Sequence, residues 1–266
     1  MNFRALIMRT KDTTMLIAAC SVSATLVAAV LATDPPAAPK VSSFAPAEDL
    51  VHQVNYFVER SVESLANKDD YPEANQSRVK KDANTLALLA LALALHDSDH
   101  SLKASAPALV GSAQALAAGS ADYDKAKAAL ENVQKAAKGE GSPDAVKPTE
   151  WKKVGSQGQL MKQAQIVYNQ LRRGTDARRF KRQVAENAGM AATLAVIGQS
   201  AVIDTHEVKN PADLGEWYKL AAEMRDSAAA VNAAIHAGSQ EDSAKALQRM
   251  SANCEECHKR FRVEVK

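Results

Sequence analysis

The chain has 266 residues, of which 46% are hydrophobic and 24% charged, with a formal net charge of +2. This is the balance of a soluble protein that buries a core, and the length accommodates two domains of ordinary size. Near-neutral bulk charge gives no footing to a nucleic-acid partner, and abundant alanine and leucine beside few aromatic residues (5%) favour helix along nearly the whole chain.

The N-terminus reads as a targeting segment. Arg4, Arg9 and Lys11 precede the uncharged run "TTMLIAACSVSATLVAAVLA", which closes on the small-residue pattern Val30-Leu31-Ala32 before a Pro-rich stretch. Residues 1–32 are therefore expected to be a cleaved signal peptide, a retained membrane anchor, since about 20 apolar residues span a bilayer, or a lipoprotein leader modified at Cys20. Each outcome puts the rest of the chain outside the cytoplasm, in the periplasm, with membrane contact only through a retained anchor.

The next elements read as helical hairpins over residues 45–138. Leu50, Val54, Phe57, Val58, Val62 and Leu65 recur at helical spacing, predicting a helix over Ala47–Leu65. After the turn "NKDDYPEANQS" comes "VKKDANTLALLALALALHD", too long and too poor in β-branched residues for a strand. Its uncharged part is too short to cross a membrane, so it reads as a fully buried bundle helix. Helices are predicted over Ala106–Ala118 and Tyr123–Ala137, and residues 139–150 read as a Gly/Pro-rich linker.

The pattern then runs again over residues 151–266. Helices are predicted over Trp151–Leu171, from about Ala177 to Ile203, over Trp217–Ala237, and in the last stretch after "GSQED". The final helices of the two halves align with Leu130 on Leu247 and Val133 on Met250. That register places Ala137, Glu140 and Gly141 against Cys254, Cys257 and His258. The fold expected is all-α, two tandem antiparallel four-helix bundles, with a longer loop before the third helix of the second.

The last helix carries "CEECHKRFR", Cys254 to Arg262. With Cys20 in the leader, Cys254 and Cys257 are the only other cysteines. A structural zinc site needs a second ligand pair, and a thioredoxin-type C-x-x-C needs a βαβ setting; neither is visible. C-x-x-C-H is the attachment sequence for c-type haem, in which two thiols add to the haem vinyl groups and the adjacent imidazole ligates iron. Cys254, Cys257 and His258 stand at i, i+3 and i+4, one face of a helix. One covalent haem is expected, since the first half has no thiols.

A four-helix segment ending in C-x-x-C-H-x-x-[FY]-R resembles cytochrome c prime and its low-spin relatives, the class II c-type cytochromes. The residues that carry the match are Cys254, Cys257, His258, Phe261 and Arg262, and the resemblance covers about Trp151 to Lys266. It implies haem buried in an antiparallel bundle with His258 as proximal ligand, Arg262 beside the haem, and Phe261 against the macrocycle or a neighbouring helix. It also implies that the other axial position faces the first helix of that bundle, where Met161 is the only methionine. Ligation by Met161 gives a six-coordinate electron carrier between redox partner proteins; an apolar position leaves a five-coordinate binder of NO or CO. Both readings stay open, because "GSQGQ" stands before Met161 where low-spin relatives have an Arg-Gln pair. Neither is read as an enzyme, though an open haem could support weak peroxidase activity, and a homodimer is compatible with both.

Weaker features remain. Met190, Met224, Met250 and His206 are poorer candidates for the second axial position. "HDSDH" (His96–His100) offers imidazoles and carboxylates to a metal, though such clusters are more often polar loops. "RRGTDARRFKR" (Arg172–Arg182) could steer an acidic partner or lie near haem propionates, though a solvated helix start is the plainer reading.

Overall fold

Apolar stripes at helical spacing become helices wherever expected, in a computed structural model that describes residues 34–141 and 145–262. Residues 1–32, where a targeting segment is expected, lie outside the described residues, Cys20 among them. The chain is all-helical there, with nine α-helices: α1 (Ala47–Ser64), α2 (Tyr71–Ala74), α3 (Lys80–Leu95), α4 (Ala106–Gly119), α5 (Tyr123–Ala137), α6 (Gln157–Gly174), α7 (Val184–Ile203), α8 (Leu214–His236) and α9 (Gln240–Phe261). None of these helices is long and apolar enough to cross a membrane.

Two boundaries differ from the periodicity, each for a local reason. The segment from Trp151 to Ser156 is not helical. Its polar groups are held by the first half instead: Ser156 N–H donates to Asn84 Oδ1 at 2.7 Å and Gln114 Nε2 donates to the Val154 carbonyl at 3.0 Å. Likewise α7 starts at Val184 rather than near Ala177. Asp176 accepts the main-chain N–H groups of Arg178 and Arg179 at 2.9 and 3.0 Å, which stabilises turns there in place of a helix. The expected turn before α3 contains α2 and a π-helical turn, Asn75–Val79.

Each helix buries one face against its neighbour in sequence. α1, α3, α4 and α5 pack together, as α7, α8 and α9 do, with α6 on α7. The two sets then share a junction in which α1 packs on α7 and α3 on α6, and all described residues fall in one compact unit. Consequently α3 and α7 are covered nearly all round, which explains their lack of a polar face.

The buried positions of the two sets repeat in register. Leu50, Gln53, Val54, Phe57, Ser61 and Ser64 of α1 correspond, at one constant interval, to Leu160, Gln163, Ala164, Val167, Leu171 and Gly174 of α6. In α5 and α9 the pairs are Ala126/Ser243, Ala129/Ala246, Leu130/Leu247, Val133/Met250 and Ala136/Asn253. Between α3 and α7 the tripeptide Thr85-Leu86-Ala87 falls on Thr193-Leu194-Ala195 when the two C-termini are aligned. In that register the junction contacts exchange: α1 on α7 is the counterpart of α6 on α3.

Polar groups buried at the junction are paired across it. Asn232 Nδ2 of α8 donates to Asp49 Oδ2 of α1 at 2.7 Å and to the Ala188 carbonyl at 2.9 Å, while His236 Nε2 lies 2.9 Å from the same carboxylate oxygen. Asp82, fully buried on α3, is less well served. Arg60 Nε lies 2.7 Å from its Oδ2 without hydrogen-bond geometry. Burial outweighs Arg60, Lys81 and Arg78, and raises the Asp82 carboxyl from its ordinary 3.8 to about 6. A raised folded-state value favours the protonated form, so the stability from Asp82 is fully present below pH 3.8 and is lost as pH rises through about 6. Urea unfolding from pH 4 to 7 should therefore show this loss, and Asp82→Asn should flatten that part of the profile; an unchanged profile in the variant contradicts it.

Candidate functional site

The four helices of the second set do not close on themselves. Asn253 Nδ2, buried on α9, donates to the Leu220 carbonyl at 3.1 Å and to Glu223 Oε2 at 3.0 Å, holding α9 on α8. At Gly198 the backbone of α8 comes so near α7 that a Cβ would meet Arg225 N at 2.6 Å. These contacts seat α7, α8 and α9 together, while Asn84 and Gln114 tether the entry to α6 to the first set. Between α6 and α9 a cavity of about 730 Å³ remains. Interiors rarely leave voids larger than a water molecule, and this volume falls within the roughly 300–1,000 Å³ of ligand and cofactor sites.

Two stripes line opposite walls. From α6 come Met161, Gln165 and Tyr168; from α9 come Met250, Cys254, Cys257 and Phe261. Leu194 of α7 and Trp217, Leu220 and Met224 of α8 complete an apolar interior. Met161 and the two cysteines stand where the apolar core divides. Met161 touches both the main core and a smaller cluster around Trp217, with Cys254 on the first and Cys257 on the second.

His258, Phe261 and Arg262 occupy the C-terminal end of α9. His258 is exposed at the cavity mouth; burial of part of its ring, with Arg262 nearby, lowers its pKa below the ordinary histidine value. At neutral pH it is therefore the neutral imidazole that ligates metals. Phe261 packs edge-on against Trp217, with ring centroids 5.2 Å apart, and Trp217 Nε1 donates to the Ala201 carbonyl at 2.7 Å. Phe261 thus fastens the last turn of α9 to α8. Arg262 lies on the lining with its side chain exposed, and its main-chain N–H bonds the His258 carbonyl at 3.0 Å.

Both cysteines are free and half-buried. Burial pushes both thiols up, Cys257 to about 11 with the neighbouring Cys254 adding to the effect. They are thiols rather than thiolates at neutral pH, unsuited to disulfide exchange. Among the described residues no group of three or more His, Cys, Asp or Glu side chains is placed to hold a bare metal ion. The set fits a haem instead: two thiols and an imidazole on one wall, a thioether opposite, apolar sides, and exposed Lys162 and Arg262 on the lining for carboxylates.

The equivalent place in the first set is closed. α5 packs directly on α1. Gly139, at φ 88, ends α5, whereas α9 runs on for about two further turns in the shared register. Ala137, Glu140 and Gly141 stand there in place of Cys254, Cys257 and His258.

Other sequence candidates are placed elsewhere. His206 is off the cavity lining, between Asp204 Oδ1 at 2.6 Å and Glu207 Oε1 at 3.1 Å. Burial pulls the Asp204 carboxyl upward, but hydrogen bonds from Lys153 and His206 outweigh it and hold it below its ordinary value. Met224 and Met250 line the cavity on α8 and α9, and Met190 does not. In the His96–His100 loop the imidazoles are engaged by main chain: His96 Nε2 with the Ala45 carbonyl at 3.0 Å, His100 Nε2 with the Leu93 carbonyl at 2.9 Å. That cluster closes the end of α3. The basic stretch Arg172–Arg182 sits at the far end of α6, about 20 Å along the helix from Met161, which removes it from any carboxylates of a group held by Cys254 and Cys257. The sequence reading missed the junction pairs and a second cavity beside that stretch, because their partners are far apart in the chain.

No family model, no curated protein and no solved structure matches this chain.

Protein produced without haem should alkylate slowly at Cys254 and Cys257 near pH 7. The rate at Cys257 should climb about tenfold per pH unit toward about pH 11. Rapid labelling of both at pH 7, followed by peptide mass mapping, would show that the thiols are not shielded as described.

Proposed function

We propose that the chain is an exported mono-haem c-type cytochrome built as two tandem four-helix bundles, the second of which carries the haem and electrons between redox partner proteins. The observation that carries this reading is the cavity between α6 and α9, lined on one wall by Cys254, Cys257 and His258 and on the other by Met161. Haem, when bound, supplies a one-electron iron couple. In the proposal Cys254 and Cys257 would hold the haem by adding their S–H across its vinyl groups, and the His258 imidazole would ligate its iron. Trp217, Leu220 and Met224 would exclude water from it, and Arg262 with Lys162 would receive its carboxylates. Export suits covalent attachment, and it is the residues 1–32 segment that supports it.

The first bundle is proposed as a haem-less copy that retains the packing positions of the repeat and lost the site. Its service is to tether α6, which keeps the cavity open. A second copy of the chain, if it pairs, must use a face other than the junction that α1, α3, α6 and α7 bury.

Met161 carries the choice of haem type. Ligation by its thioether favours the electron carrier and a raised potential. Its contact with both apolar clusters equally suits a packing residue, which favours the second reading, a five-coordinate binder of NO or CO. Absorption spectra of the exported protein decide between them. A low-spin ferrous spectrum with little CO binding, turned high-spin and CO-reactive by Met161→Leu, supports the carrier, since leucine keeps the volume but has no lone pair. A wild-type protein that is already high-spin and takes up CO quickly supports the gas binder. His258→Ala should change the spectrum in either case; an unchanged spectrum removes the imidazole from the proposal.

A further inference from the structure

A second cavity, of about 300 Å³, opens between α1, α6 and α7, beside the basic stretch. Val167 and Met190 give it an apolar floor, while Arg173, Arg179 and Glu186 stand exposed around it. The cations are not neutralised internally. Arg173 has no ion-pair partner among the described residues, and Arg179 reaches Asp176 only at 3.8 Å.

Deeper in the cavity lies Gln53, only 3% exposed. Its Oε1 is 3.3 Å from the Thr193 hydroxyl, and its side chain crosses Gly189, where a Cβ would come within 2.6 Å of Nε2. That amide is held in place against α7, and its Nε2 is open to the cavity, so it stands ready to donate to a group bound there. The start of α7 adds to it, since Gln183 provides no side-chain cap for the first N–H groups of the helix.

The internal repeat supplies a control, one that rests on the tandem-bundle reading. In the shared register Gln53 corresponds to Gln163, Val167 to Phe57, Gln170 to Arg60 and Met190 to Asp82. The corresponding junction is filled, by the larger Phe57 and by the buried Asp82 carboxylate against Arg60. Where one side of the molecule fills the place with its own Asp82 carboxylate against Arg60, the other has a cavity with Arg173, Arg179 and Glu186 exposed around it and the Gln53 amide on its wall.

We infer that this cavity binds a small organic anion, a carboxylate on a short apolar body. The apolar floor excludes a fully hydrated ion as the best occupant, and arginine with an amide N–H matches a planar carboxylate. The volume lies at the small end of ligand sites, roughly 300 Å³.

The test is a calorimetric titration of the full chain with benzoate, with inorganic phosphate as the second probe. Saturable binding of one benzoate per chain is expected, weakened roughly tenfold by Arg173→Ala with Arg179→Ala, whose exposed side chains are not needed for folding. Val167→Phe, which copies the filled side, should abolish binding, and Glu186→Gln should strengthen it. Absence of saturable benzoate binding, or equal binding by the double variant, overturns the inference. Phosphate binding as tightly as benzoate overturns the ligand class. None of these readouts depends on haem, so the outcome is separate from that of the cytochrome proposal.

Discussion

α9 is held chiefly by α8, and it meets the end of α6 through Gln240 Nε2, which donates to the Thr175 carbonyl at 3.3 Å. The Asn253 amide, the Trp217–Phe261 edge contact and the close α7–α8 approach at Gly198 fasten one wall of the cavity. The other wall, α6, rests on α7 and is tied to the first set through Asn84, Gln114 and its packing on α3. With its walls anchored in this way, the cavity forgoes the roughly 25 cal/mol per Å² that closing over its apolar lining would offer. A cavity of this kind is stable only in a frame stiff enough to resist collapse, and a bound group that fills it would stabilise the folded state.

Much of this was legible in the sequence. The helical stripes of α1 and α5 give their own bounds because each has one apolar face, and Pro107 and the Gly119 end mark out α4. Boundaries set by tertiary contacts were not legible. Trp151–Ser156 looks helical until Asn84 and Gln114 claim its main chain, and the start of α7 waits on the Asp176 turn. The C-x-x-C-H face was readable because its three residues are close in the chain. The wall opposite it, the junction pairs such as Asp49 with Asn232, and the second cavity depend on residues separated by most of the sequence, where periodicity carries no signal.

The two halves show how packing and site separate. Buried positions persist from α1 to α6 and from α5 to α9, so the frame is kept even though α5 ends at Ala137 and α9 runs on to Phe261. The corresponding places at the junction differ in turn, filled on one side by Asp82 and Arg60 and open on the other.

The central claim is that the cavity between α6 and α9 is built for a covalently attached haem. Intact mass spectrometry of the exported protein after acid-acetone extraction tests it most directly. The account predicts the mass of the processed chain plus one haem, with the added mass mapping to the peptide that contains Cys254 and Cys257. Recovery of the bare chain mass from protein made in a haem-attaching host would contradict it.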